Sequence, residues 1–190
     1  MNDVRHLRTE RLWLDQAVDA DCDDLFAIHS DPASWAHYPS LRHTDRSRTP
    51  EIVRLSQRGF DEHGLGYWSV RDLPRGPVIG WGGCAVPTPP WPWWNLAFRF
   101  SQSVVRRGYA SEMARAAIAA AHRLDPDRPV LAYLLEHNEG SRRTTEGLGL
   151  QLVWRGADVP NPDPRAVRLV YLDREPDPAL LEAIEQHAAG

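Results

Sequence analysis

The strongest chemical signal in the 190-residue chain is Val105-Arg-Arg-Gly-Tyr-Ala-Ser-Glu112. It joins a strand-like segment to a helix-like one, so unpaired backbone N–H groups and the positive end of a helix dipole converge there. Gly108 lets the backbone approach a ligand closely, and Arg106 and Arg107 flank the turn. A helix start of this kind suits phosphate or pyrophosphate. The same residues also read as a glycine turn with two solvated arginines, and local physics leaves both readings open. Other chemistries are poorly served. All 22 basic residues are arginine, which excludes a lysine Schiff base and a P-loop lysine. Neither Gly80-Trp-Gly-Gly83 nor Gly147-Leu-Gly149 follows a strand and opens a helix, as a dinucleotide fingerprint would. No Ser/His/Asp set has a recognisable nucleophile turn, and no Cys/His pair has zinc spacing, so no metal is expected.

Composition narrows the class. A chain of 190 residues suits one domain spanning 1–190, large enough to bury a sizeable core without disulfides. Cys22 and Cys84 read as small buried side chains. The formal charge of −4 (22 basic against 26 acidic residues) lacks the footprint of a nucleic-acid binder. No apolar run approaches the roughly 20 residues of a membrane span, and MNDVRHLRTE does not read as a signal peptide. No nucleic-acid or membrane partner is therefore expected, and the expected location is cytoplasmic.

The elements that must position the turn follow from periodicity. Thr9–Leu14 alternates as a first strand, and Asp19–Ser30 reads as a helix whose acids (Asp21, Asp23 and Asp24) serve its dipole. A second helix spans Pro50–Glu62 with Thr49 as N-cap. Segments 66–71, 78–86 and 94–100 form an antiparallel meander, with Pro87–Trp94 as the Trp-rich tip between its last two members. Gly108–Leu124 is the clearest amphipathic helix, and Val130–Leu135 reads as a strand buried on both faces. Asn138–Leu148 is a polar helix ended by Gly149. Strands near 152–155 and 167–172 and a helix over 176–190 complete an α+β layout. Trp91, Trp93 and Trp94 leave three roles open: lining a pocket, burial in a homodimer partner, or packing on their own sheet.

In this order the motifs resemble the Gcn5-related N-acetyltransferase (GNAT) superfamily, most closely its RimJ/RimL-type branch. Five segments carry the likeness across about residues 9–174: Thr9–Leu14, Gly66–Val70, Val78–Gly83, Arg107–Glu112, and Asn138 through Ser141 to Leu150. The resemblance implies a mixed, mainly antiparallel sheet flanked by helices, with a splayed fourth/fifth strand pair that receives acetyl-CoA. Here the splayed edges would be Phe98–Gln102, including Phe100, and Tyr133–His137. Backbone amides from Val105 to Ala110 would hold the pyrophosphate, with Arg106 and Arg107 adding charge and Gly108, Tyr109 and Ser111 completing the loop. Asn138 would meet the pantetheine arm and Arg143 a phosphate. A primary amine, on a protein N-terminus or a small molecule, would attack the thioester directly. The tyrosine that many relatives use as general acid falls at Thr145; the branch points to Ser141 instead. The branch's fourth-strand acid aligns with Asn95, so a base must come from elsewhere, with His137 and Glu136 the candidates by position. A non-catalytic acyl-CoA-binding module is the alternative.

Overall fold

The computed structural model describes residues 4–189. The N-terminal segment forms a hairpin rather than one strand. β1 (His6–Arg8) pairs with β2 (Trp13–Gln16), and the predicted strand over 9–14 is mostly their turn, closed by Thr9 N–H to Leu12 O at 3.0 Å. Leu12 and Leu14 are nevertheless both fully buried, as their alternation requires. β3 (Tyr67–Arg71), β4 (Gly80–Ala85) and β5 (Trp94–Phe100) follow as the expected antiparallel meander. β6 (Val130–Leu135), β7 (Gln151–Ala157) and β8 (Val167–Leu172) complete an eight-stranded sheet ordered β1-β2-β3-β4-β5-β6-β8-β7. The α+β class holds, with antiparallel pairing everywhere except between β5 and β6.

Among the described residues, five α-helices flank the sheet: α1 (Cys22–Ser30), α2 (Thr49–His63), α3 (Tyr109–Leu124), α4 (Glu139–Gly147) and α5 (Pro178–Ala189). α1 begins three residues after the expected start, because Asp19–Asp21 forms a separate 3-10 turn. Its acids are more than dipole partners. Buried Asp21 accepts from Ser69 Oγ at 2.7 Å and pairs with Arg71, and Asp24 accepts from Val78 N–H at 2.7 Å. Thr49 is the first residue of α2 rather than its cap, because the 3-10 turn Arg46–Arg48 runs directly into the helix.

α3 lays Met113, Ala114, Ala117 and Ala121 into the main core against β4 and β5. The approach is close because β4 is glycine-rich. A Cβ on Gly82 would lie 2.6 Å from Met113 Cε, 2.7 Å from Ala97 O and 2.9 Å from Phe98 Cα, two of them backbone atoms. Gly82→Ala should therefore cost about 2 kcal/mol and lower Tm by roughly 5 °C. A melting temperature within 1 °C of wild type would show that the sheet and α3 part easily.

The Trp-rich tip packs on its own sheet. Trp93 and Trp94 are buried, Trp93 within a small core of Leu131, Val170, Leu172 and Ile184. Trp91 stacks on Trp93 at 5.2 Å, and His187 of α5 meets both rings edge-on.

Candidate active site

β5 and β6 touch as parallel strands only at Trp94↔Val130 and Asn95↔Leu131. Beyond that point they diverge, so backbone groups from Leu96 and Ala132 onward face a gap instead of each other. The hairpin adds a strand ahead of the expected count, which makes β5 and β6 the anticipated splayed pair. Two cavities open along the gap. A smaller one of about 240 Å³ lies over Asn95–Arg99 and Ala132–Leu135. A larger one of about 590 Å³ runs between the segment 100–110 and the start of α4. His37, Phe98, Arg99, Asn138 and Ser141 line both and mark where they meet.

Local sequence shapes the larger cavity. Arg106 (φ 64°) and Gly108 (φ 79°) both take left-handed backbone conformations, which turn the chain sharply into α3. The first hydrogen bond of that turn is Glu112 N–H to Gly108 O at 3.0 Å, so the amides ahead of Glu112 have no intrahelical partner. The turn is pinned from the N-terminal hairpin. Glu112 accepts from Thr9 Oγ1 (2.6 Å), Arg11 N–H (2.8 Å) and Arg11 Nε (2.7 Å), while Arg11 Nη1 donates to Arg107 O at 2.9 Å. α4 starts across the cavity, with Asn138 as N-cap accepting from Ser141 N–H at 3.2 Å. Two helix N-termini thus face one cavity, with Arg106 and Arg143 on its walls, an arrangement suited to an elongated anion.

The smaller cavity is assembled from distant segments. Trp35, His37, Tyr38 and Leu41 come from the connection between α1 and α2. Asp158, just after β7, and Arg168 of β8 form a buried ion pair. Tyr38 Oη donates to Pro160 O at 3.5 Å, joining the two walls. Arg99 rises from β5, donates to Ser34 O and lies face-on over Trp35 at 3.4 Å. Burial brings its pKa down to about 10. Burial, then Arg99 and His137, hold His37 down at about 4, so its imidazole is neutral at physiological pH. Two buried polar atoms on residues lining this cavity, Thr145 Oγ1 and Asn95 Oδ1, have no hydrogen-bond partner.

Of the residues expected at the site, Phe100, Val105, Arg106, Gly108, Tyr109, Ala110 and Arg143 line the larger cavity, and Asn138 and Ser141 line both. Arg143 also pairs with Glu139 at 2.5 Å. The structure places His137, Arg107 and Ser111 outside both cavities. His137 is exposed and donates through Nε2 to His37 O at 3.0 Å, and Arg107 offers its carbonyl to Arg11. Glu136 is engaged by Arg155 at 2.7 and 3.0 Å. Sequence reasoning missed His37, Trp35, Arg99, Asp158 and Arg168. Trp35 and His37 stand in a loop without periodicity, and Arg99 falls inside the expected edge Phe98–Gln102 with nothing in the sequence to single it out.

Comparison with known proteins agrees with this geometry. Residues 11–151 match the family described as Acetyltransferase (GNAT) domain. No curated protein matches the sequence. Among solved structures, an acetyltransferase from Agrobacterium tumefaciens is 25% identical, with TM-score 0.72 over 90% of this chain and 95% of its own. The ribosomal-protein-S5-alanine acetyltransferase from Vibrio fischeri shares the fold at 13% identity, with TM-score 0.66 over 90% and 99% of the two chains. A Salmonella typhimurium protein, solved with its cofactor acetyl-CoA, is 14% identical, with TM-score 0.66 over 86% and 92%. No helix among the described residues is long and apolar enough to cross a membrane. The splayed β5/β6 pair, the amide-rich turn into α3 and the match over residues 11–151 together make this chain a member of the GNAT acetyltransferase family.

Proposed function

We propose that the protein is an N-acetyltransferase that moves an acetyl group from acetyl-CoA to a primary amine by direct attack within a ternary complex. The observation that carries this reading is the junction of two cavities at the splay, one polar and flanked by helix starts, the other walled and small. Acetyl-CoA would supply the activated acyl group, and the residues present fit it. The unpaired edges of β5 and β6 can hydrogen-bond an extended arm as an added strand would. The amides of the Val105–Ala110 turn, with Arg106 and Arg143, can hold its pyrophosphate.

Ser141 lines both cavities, where its hydroxyl can give a proton to the departing thiolate. The acceptor amine must be neutral to attack. His37, neutral at physiological pH, is placed to accept a hydrogen bond from the amine.

The first test is a thermal-shift titration with acetyl-CoA, followed by thiol release with a panel of amines. Ser141→Ala should lower kcat by about 100-fold and leave acetyl-CoA affinity within about threefold. An undiminished kcat would remove Ser141 as the proton donor. Saturable acetyl-CoA binding with no turnover on any amine would favour a non-catalytic acyl-CoA-binding module, to which Asn95 and Thr145 at the usual acid positions lend support.

A further inference from the structure

The smaller cavity has an unbalanced charge inventory. Its charged lining residues are Asp158, Arg168 and Arg99, with neutral His37 beside them. Asp158 and Arg168 neutralise each other in their ion pair. Arg99 has no carboxylate partner among the described residues. One of its N–H groups goes to Ser34 O, and its remaining donors meet no acceptor among the described residues. A guanidinium carries five N–H donors in a planar fork, and Trp35 holds this one by its face, which leaves its edge for a ligand.

The neighbourhood is built around this cation. Arg99 contributes to keeping His29, His37 and His43 neutral, so the nearby imidazoles add no further positive charge at physiological pH. Along the same face of β5, Ala97 separates Arg99 from Asn95, and its single methyl leaves the floor between them open. Asn95 Oδ1, buried without a partner, sits at the far end of that floor. A cation at one end and an unsatisfied acceptor at the other suit a short ligand with an anion and an amine N–H. Bidentate pairing with a carboxylate would satisfy the Arg99 fork.

We propose that the acceptor is a small amine that also carries a carboxylate, an amino acid or close analogue, and that Arg99 holds the carboxylate. This rests on the amine-acetylating reading above and narrows its acceptor. A polyamine or an aminoglycoside would bring more positive charge to a cavity whose one uncompensated charge is already positive.

The experiment measures acetyl-CoA-dependent thiol release for α- and β-amino acids against their matching carboxamides, with spermidine and a short peptide as further acceptors. The carboxamides have the less basic amines, so they hold the intrinsic advantage in neutral nucleophile. The expected result is a kcat/KM about 30-fold or more higher for at least one amino acid than for its amide. Arg99→Gln should shrink that preference to about threefold or less while the acetyl-CoA thermal shift stays at its wild-type value. Equal or better use of amides, spermidine or the peptide would overturn the proposal and leave the transferase reading standing. A weaker acetyl-CoA shift in Arg99→Gln would make Arg99 a cofactor group and overturn it too. Binding of acetyl-CoA without turnover of any amino acid also counts against it. A wild-type protein that acetyl-CoA does not stabilise would fail the transferase reading itself. The wild-type preference needs no variant, so misfolding of Arg99→Gln leaves the proposal decidable.

Discussion

Gly140→Trp should fold normally and lose acetyl-CoA. Gly140 stands in the first turn of α4 and lines the larger cavity, and a Cβ there would meet only Asn138 Oδ1, at 3.9 Å. An indole at this position grows into the space across from the turn into α3 and displaces nothing in the core. Replacing a helical glycine also removes an entropic penalty of roughly 0.5–1 kcal/mol, so the unliganded protein should melt no lower than wild type. For wild type, acetyl-CoA at about 100 times its dissociation constant should add about 2.7 kcal/mol, or roughly 5–10 °C in Tm. That shift should vanish in the variant, and turnover should fall by at least about 100-fold. Gly147→Trp is the control, since Gly147 lies in the same helix but lines neither cavity and has nothing within 4 Å. A full acetyl-CoA shift in Gly140→Trp would mean that the ligand does not run past α4.

The second large effect is acid lability without a change in the site's chemistry. His29 is buried with no hydrogen-bond partner on either ring nitrogen, and it packs against Trp35, His43 and Trp81. Burial, then Arg99 and His43, take its pKa down to about 3. His37 falls to about 4, and burial with Arg48 and Arg99 lowers His43. Each imidazole is neutral in the folded chain, while the unfolded chain protonates near pH 6.5. Between those values the unfolded state binds more protons, so stability rises with pH and is lost as pH falls from 6.5. His29 alone should cost about 2 kcal/mol at pH 5 relative to pH 7, at ~1.4 kcal/mol per pH unit. The melting temperature should therefore drop by at least about 5 °C between those two pH values. In His29→Gln the drop should shrink visibly, whatever the variant's absolute stability. A melting temperature flat from pH 7 to pH 5 would show that the three imidazoles find water or partners in the folded state.

How far the sequence reaches depends on whether a feature is local. The turn at Gly108, the α3 stripe, the polar helix near Asn138 and the meander depend on a few adjacent residues, and each stood close to where periodicity and turn chemistry put it. The parts of the larger cavity at the two helix starts were accordingly legible, whereas its wall of Ala33, Ser34 and His37, from the connection between α1 and α2, was not. The hairpin at the N-terminus was read as one strand because its turn, Thr9–Leu12, happens to alternate as a strand does. Asp21 and Asp24 were read as dipole partners because their true partners, Ser69, Arg71 and Val78, lie far along the chain.

The smaller cavity lay beyond such reasoning for the same cause. Arg99 acquires its meaning from Trp35 and from Ser34, 65 residues away in sequence, and the connection between α1 and α2 that supplies them has no periodicity to read. The sequence by itself carried the family likeness, the central meander and the glycine turn into α3, since each is written in short-range patterns. Only the tertiary structure decided that the Trp-rich tip packs inward, that His137 stays outside the cavities, and that Arg99 stands where they meet with no carboxylate partner among the described residues. Burial and charge pairing are properties of the packed chain, and no single segment contains them.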